Sequence, residues 1–237
     1  QRRPDLVCFV NGIPLVLLEL KKPSAALKTA YDDNLTDYRA AIPHIFTPNA
    51  FVILSNGYDT KVGSTFAPWP FFNKWKRIDD EGEQGRVSLE TAIRGMCAKG
   101  KLLDLVENFI VYEEEKAGLI KKLAKNHQVL GVNRAIQEVL RSKQRPAGEP
   151  ARLGVFWHTQ GSGKSLSMVF FSRKILRTVP GNWSFVMVTD RQELDEQIYK
   201  TFLATGTVTN TKAHATSGAH LRELLAGDNR FVFTLIH

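Results

Sequence analysis

At 237 residues with 43% hydrophobic content, the chain can bury a substantial core, enough for one large domain or two modest ones. A formal charge of +8, spread over both halves, favours a polyanionic partner such as nucleic acid over an acidic or neutral one. Two cysteines, Cys8 and Cys97, are too few and too far apart for a disulfide framework or a zinc site, and no apolar stretch reaches the roughly 20 residues that span a bilayer.

The opening QRRPDLVCFV lacks the layout of a signal peptide, so the expectation is a cytoplasmic protein with free thiols and no membrane partner. Because the chain starts without Met and stops inside the apolar run RFVFTLIH, the expectation is also a piece of something longer. PDLVCFV and PLVLLEL are β-rich runs joined by Asn11-Gly12, a strong hairpin signal. AFVILSNG supplies another strand, and the aromatic, Pro-rich PWPFFNKW is read as packed loop rather than a surface that stacks on DNA. DDEGEQG is a solvated turn, while LLDLVENFIVYEEE and GLIKKLAKNHQVLGVNRAIQEVLRSK carry Leu, Val and Ile at helical spacing. KQRPAGEPAR collects Pro, Gly and charge without periodicity and is the candidate linker, which gives domains over 1–146 and 151–237.

Past the linker, strand and helix alternate. RLGVFWH, SFVMVTD and RFVFTLI read as strands. KSLSMVFFSRKILRTV, ELDEQIYKTFLA and SGAHLRELLAG read as helices, the last with Ser217 as N-cap and Gly227 past its end. The alternation predicts an α/β fold with a parallel, doubly wound sheet.

Between the first of these strands and its helix lies HTQGSGKS. Gly161 and Gly163 let the backbone wrap a phosphate, helix N-terminal amides face it, Lys164 reaches the terminal phosphates, and the Ser165 hydroxyl suits Mg²⁺. His158 stands where the P-loop pattern has its first glycine. In VTDRQELDEQI, which follows the next strand, Asp190 and Glu193 fit a helix capping box. Superfamily 2 helicases and translocases place a DNA-contacting segment there, which makes Asp190 and Arg191 candidate DNA contacts.

The first hairpin holds a second constellation. Asp5 follows a proline, and fourteen residues later come Glu19, Leu20 and Lys21. Two converging carboxylates can hold Mg²⁺, and a nearby lysine orients the attacking water or neutralises charge. Glu19 and Lys21 share a strand face because the side-chain period is two. A regular two-residue hairpin pairs Val10 with Ile13 and Asp5 with Leu18, leaving Glu19 on the opposite face. A metal site therefore demands an odd loop or a bulge, and that irregularity is expected. The alternative is a Glu19–Lys21 or Glu19–Lys22 charge pair with Asp5 unrelated.

Together these residues resemble the motor and nuclease (R) subunit of type I restriction enzymes. RPDLVCFVNGIPLVLLELKKP looks like that family's nuclease motif, LAKNHQVLGVNRAIQ like its adenine-recognising segment, GVFWHTQGSGKSLSM like its Walker A region and VTDRQELDEQI like the next motor motif. HTQGSGKS is also how that family writes its phosphate loop. The resemblance covers nearly the whole chain, in order. It implies a PD-(D/E)xK endonuclease-like domain, a mixed sheet with flanking helices, followed by the N-terminal part of a RecA-like P-loop domain with a parallel sheet.

Carried over, the resemblance implies that Asp5 and Glu19 ligate Mg²⁺ and Lys21 serves catalysis. Gln128 would read the adenine of ATP, and Thr159, Gln160, Gly161, Ser162, Gly163, Lys164 and Ser165 would hold its phosphates. The family pairs a Gln and a Tyr four residues apart on the next helix; here Tyr38 matches, but Asn34 replaces the Gln. The implied activity is site-specific deoxyribonuclease action on double-stranded DNA, coupled to ATP-driven translocation, with methyltransferase and specificity subunits as partners. A Walker B box and a second motor domain fall outside the chain, so these 237 residues alone are expected to be ATPase-deficient. Two rivals stay open: a superfamily 2 helicase or translocase with a non-catalytic N-terminal domain, and a DNA-binding scaffold with a degenerate nucleotide site.

Overall fold

Asn11 and Gly12 take positive φ, 50° and 79°, the conformation that a two-residue hairpin turn requires. They join β1 (Leu6–Val10) to β2 (Ile13–Leu20) in the computed structural model of the chain, which describes residues 2–116, 118–146, 148–209 and 213–237. Val10 pairs with Ile13 and Phe9 with Pro14, as a regular hairpin demands. The register then shifts: Cys8 pairs with Val16, Val7 with Leu17 and Leu6 with Leu18. Leu15 is left over as a bulge. Its carbonyl turns away to accept the Ala50 amide at 2.7 Å and Asn49 Nδ2 at 3.2 Å.

The hairpin belongs to a mixed four-stranded sheet of order β1-β2-β3-β4, with β3 at Phe51–Ser55 and β4 at Thr60–Gly63. β2 and β3 are parallel, and the outer pairs are antiparallel. As central strands β2 and β3 are covered on both faces, which is why Val16–Glu19 and Phe51–Ser55 are buried without alternation. A π-helical stretch, Ala30–Leu35, runs directly into α1 (Thr36–Ala41) and lies on one face of this sheet. Leu35 and Tyr38 pack there with Leu17, Val52 and Leu54.

The aromatic segment after β4 is packed loop, as expected: Phe72 and Trp75 are buried, Trp69 stacks on Phe72, and Lys61 Nζ sits 4.2 Å from the centre of the Trp69 ring. α2 (Leu89–Met96) has the Ser88 hydroxyl as its N-cap, and α3 (Lys99–Asn108) follows. Here the helical expectation fails. A two-stranded sheet forms here from β5 (Ile110–Glu115) and β6 (Gly118–Leu123), and helix resumes only at α4 (Asn126–Ser142). Ile110, Val111 and Tyr112 are β-branched and aromatic types that favour a pleated surface, and the short apolar run also fits helical spacing.

The chain divides into two compact units, Gln1–Val111 with Ile120–Leu130, and Tyr112–Leu119 with Gly131–His237. In the second, α5 (Lys164–Thr178) precedes β7 (Phe185–Thr189), α6 (Gln192–Ala204), α7 (Gly218–Ala226) and β8 (Phe231–Leu235). β7 and β8 pair in parallel, the geometry that alternating strands and helices predict. The Ser217 hydroxyl caps α7 by accepting the His220 amide, and Gly227 follows the helix end, both as expected.

Two expectations in this unit are corrected. Residues 152–158 do not form a strand: they pair with neither β7 nor β8, and Val155 and Trp157 are 93% and 77% exposed. Alternating apolar residues make a strand only where an edge receives their backbone groups. The capping box is also absent. Arg191, not Asp190, is the N-cap of α6, and no side chain caps it.

Candidate active site

The bulge at Leu15 has a direct chemical consequence. Continued by one residue, the Leu6–Leu18 pairing sets Asp5 across from Glu19, the arrangement that a regular two-residue hairpin forbids. Asp5 Oδ2 accepts the Leu20 amide at 2.7 Å, which fixes that carboxylate at the strand end. Glu19 and Lys21 share the other requirement, a common face, and Lys21 Nζ lies 3.8 Å from Glu19 Oε1. The expected irregularity is therefore present.

Glu19 is 2% exposed, and its Oε2 is buried with no hydrogen-bond partner among the described residues. A buried carboxylate in that condition is costly unless something cationic completes it. Burial pushes the Glu19 carboxyl above the ordinary carboxylate range, and the Asp5 charge pushes the same way. Lys21, the Tyr38 hydroxyl and the Asp5 amide pull against that rise without cancelling it. Two carboxylates sharing a site, one with an unused oxygen, form a donor set that fits a hard divalent cation.

The π-helical turn and α1 bring a second layer. Lys21 Nζ donates to Asn34 Oδ1, Asn34 Nδ2 donates to Tyr38 Oη at 3.4 Å, and Tyr38 Oη donates to the Arg3 carbonyl at 3.2 Å. Burial raises the Tyr38 phenol above its ordinary value, with the Glu19 charge adding to the rise and the Asn34 contact opposing it. A π turn at a functional site is a recurrent device, and here it carries Asn34 to the lysine. Sequence reasoning singled out Asn34 only as a departure. Its contact with Lys21 depends on how the helix lies on the sheet, which spacing does not reveal.

The phosphate-loop residues lie in the second unit. Gly161 and Gly163 take φ of 74° and 95°, Gly163 is the N-cap of α5, and Lys164 and Ser165 occupy its first two positions. A side chain at Gly161 would meet open space, so the loop's cradle is bare backbone. Lys164 Nζ donates to the carbonyls of His158 at 2.8 Å and Thr159 at 3.3 Å, folding over the loop. Thr159, Gln160 and Gly161 are exposed, and Ser162, Gly163 and Ser165 are half-buried. Amides at a helix N-terminus, a lysine and a hydroxyl suit a magnesium nucleotide.

Gln128 lies in the first unit, on α4; it is buried, and its Oε1 accepts the Lys125 amide at 2.8 Å. Asp190 and Arg191 occupy the exposed turn between β7 and α6, 3.6 Å apart as an ion pair. Missed from sequence is a cluster behind that turn, the buried Thr189 and Asp195 with a half-buried His214, whose local signal is an aspartate in the first turn of an amphipathic helix.

Comparison with known proteins bears on both units. Residues 1–71 match the family model described as type I restriction enzyme R protein N terminus, and residues 127–237 match that of the SWI2/SNF2 ATPase. The chain is 36% identical, over 236 residues, to the type I restriction enzyme HindI endonuclease subunit of Haemophilus influenzae, covering 95% of this chain and 22% of that protein. It is 32% identical, over 246 residues, to the MjaIXP endonuclease subunit of Methanocaldococcus jannaschii, covering 94% of this chain and 23% of the relative. A relative from Staphylococcus aureus, the SauCOLORF180P endonuclease subunit, is 25% identical over 211 residues, 88% of this chain and 22% of its own. The chain thus spans less than a quarter of the length of these relatives. Among the described residues no helix is long and apolar enough to cross a membrane. Both halves are matched in order, and nearly the whole chain aligns with part of the endonuclease (R) subunits of type I restriction enzymes, the proteins it is similar to.

Proposed function

We propose that the first domain, residues 1–146, has the PD-(D/E)xK endonuclease fold and hydrolyses phosphodiester bonds of double-stranded DNA. Residues 151–237 would begin a RecA-like translocase domain. The observation that carries this reading is the Leu15 bulge, which sets Asp5 across from a buried Glu19 with an unused oxygen, Lys21 being on the same face. Asp5 and Glu19 would hold Mg²⁺, which when bound supplies an activated water and charge neutralisation at phosphorus. Lys21 adds a positive charge on the same face and, held by Asn34, is oriented for the developing negative charge. Tyr38 braces Asn34 and ties the helix to the backbone at Arg3.

In the second domain Thr159 to Ser165 would bind the ATP phosphates and Ser165 its Mg²⁺; Gln128, on α4 of the first unit, would read the adenine by the family resemblance. ATP when bound supplies the free energy for moving along DNA. Asp190 and Arg191 would contact DNA, Arg191 through the phosphates, a contact that weakens as salt rises. In the assembled enzyme, methyltransferase and specificity subunits would supply sequence recognition, so this chain needs no base-reading element.

Manganese titration of the chain tests the nuclease reading. Calorimetry should show binding that Glu19→Gln removes and Ser165→Ala does not. Equal Mn²⁺ affinity in wild type and Glu19→Gln would restore the reading of a motor with a structural N-terminal domain.

A further inference from the structure

The cluster behind the Asp190–Arg191 turn is built around a carboxylate with no part in either proposed site. Asp195 is 1% exposed, and both its oxygens are used. Oδ1 accepts the Thr189 hydroxyl at 3.1 Å, and Oδ2 meets Nε2 of His214 in a short contact. The Asp195 amide in turn donates to the Arg191 carbonyl at 3.0 Å, and the Thr189 carbonyl accepts the Ile236 amide at 2.8 Å. The Asp195 side chain thus ties Thr189, just ahead of the exposed turn, to His214, while the backbone bond to Arg191 is the first turn of α6 that any residue here would make.

His214 comes from a different part of the chain. It bridges to Phe233 of β8, the next amide, Ala215, donates to the Phe233 carbonyl at 2.8 Å, and the imidazole stacks on Tyr199 with ring centres 5.1 Å apart. Among the described residues, the groups facing the pair are Tyr199 at the ring and Glu196, whose carboxyl is held low mainly by Lys200 and to a lesser degree by His214. Burying a carboxylate at this cost for structure alone is inefficient, since an apolar side chain of similar size fills such a position as well or better. What an apolar residue does not supply is directional attachment of three elements to one turn.

We infer that Asp195 and His214 are positioning residues that hold the Asp190–Arg191 turn in its DNA-facing conformation and tie it to the segment alongside β8. The inference rests on the reading that this turn contacts DNA phosphates. An arginine on a mobile turn gives up more conformational entropy on binding than one already fixed. Asp195 removes that loss from within, without touching DNA itself.

The test is a double-mutant cycle on this chain with a short mixed-sequence duplex at low salt, read as Kd by fluorescence anisotropy, each variant first checked for its thermal transition. Arg191→Ala should weaken binding by about threefold to tenfold, the scale of one phosphate contact. Asp195→Asn and His214→Gln should each weaken it, and neither should weaken it further when combined with Arg191→Ala. Losses that add in the combined variants, or no loss in Asp195→Asn while Arg191→Ala weakens binding, would overturn the inference. If Arg191→Ala leaves Kd unchanged, the DNA reading of the turn fails, and amide hydrogen exchange of residues 190–194 decides the positioning role. Faster exchange confined to that turn in Asp195→Asn and His214→Gln supports it, and unchanged exchange sinks it. Asp195→Asn that no longer unfolds cooperatively is replaced by His214→Gln, on the solvent-facing side of the pair, in the same cycle.

Discussion

Asp5 stands across from Glu19 because Leu15 is an extra residue in the ladder between their strands. The tight Asn11-Gly12 turn alone would set Glu19 on the far face from Asp5. The bulge restores the match one strand-length from the turn, and the Leu15 carbonyl is satisfied by Ala50 and Asn49 instead of by β1. The irregularity is thus stabilised from the side of β3, independently of the acids it aligns.

Glu19→Gln should stabilise the metal-free chain at neutral pH. A buried carboxylate oxygen without a partner carries a desolvation cost of about 1–3 kcal/mol, which the neutral amide reduces. The sign follows from linkage. With its folded pKa raised above the ordinary 4.5, Glu19 holds its proton more tightly folded than unfolded, so wild-type stability falls as pH rises from that value through the raised one. Urea unfolding in EDTA should show this decline in wild type and a flatter profile in Glu19→Gln. Parallel profiles would mean that Glu19 is not the group responsible.

Divalent cation should reverse that order. Binding to the folded state alone raises stability with concentration, by about 2.7 kcal/mol at a hundred times Kd. Wild type should gain melting temperature with added Mn²⁺, and Glu19→Gln should lose that gain. A gain that survives the substitution would place the cation elsewhere.

Asn34 links Lys21 to Tyr38, so its removal acts on both. Tyr38→Phe removes two hydrogen bonds, from Asn34 and to the Arg3 carbonyl, and should cost about 1–3 kcal/mol at about 0.5–1.5 kcal/mol each, with little change in Lys21. Asn34→Ala should leave Lys21 without its acceptor and lower cleavage in the intact enzyme more than Tyr38→Phe does. Restoration by Asn34→Gln, one methylene longer, would show that the amide itself is the requirement. Cleavage indifferent to Asn34 would make the contact incidental.

Gly161→Ala tests the phosphate cradle. At φ 74° a Cβ strains the backbone by about 1–2 kcal/mol, yet nothing stands where it would go, so packing is untouched. Binding of a fluorescent ATP analogue should weaken severalfold, and Lys164→Ala should weaken it further by removing the charge on the terminal phosphates. Unchanged affinity in Lys164→Ala would detach the loop from nucleotide binding.

Much of this arrangement is legible from residue types. The Asn11-Gly12 turn, the shared face of Glu19 and Lys21, the helix after HTQGSGKS and the Ser217 cap all follow from local chemistry. The need for a bulge is legible too, as a geometric demand of the acids, though not that Leu15 would supply it. What fails depends on distant partners. Ile110–Glu115 and Gly118–Leu123 pair as strands, residues 152–158 pair with neither β7 nor β8, and α6 begins one residue later than a capping box at Asp190 requires. The Asp195–His214 contact joins residues 19 apart through the packing of α6 and β8, and no local pattern announces it.

The most direct measurement compares wild type and Lys21→Ala in the intact subunit, assembled with its partner subunits, reading DNA cleavage and ATP hydrolysis side by side. Lys21 sits 3.8 Å from Glu19 in the first unit, whereas the phosphate loop lies in the second. Loss of cleavage by about a hundredfold or more, with ATP hydrolysis retained, is the predicted result. Cleavage at the wild-type rate in Lys21→Ala would show that Glu19 and Lys21 are a structural pair and that the chain's N-terminal domain is not the nuclease.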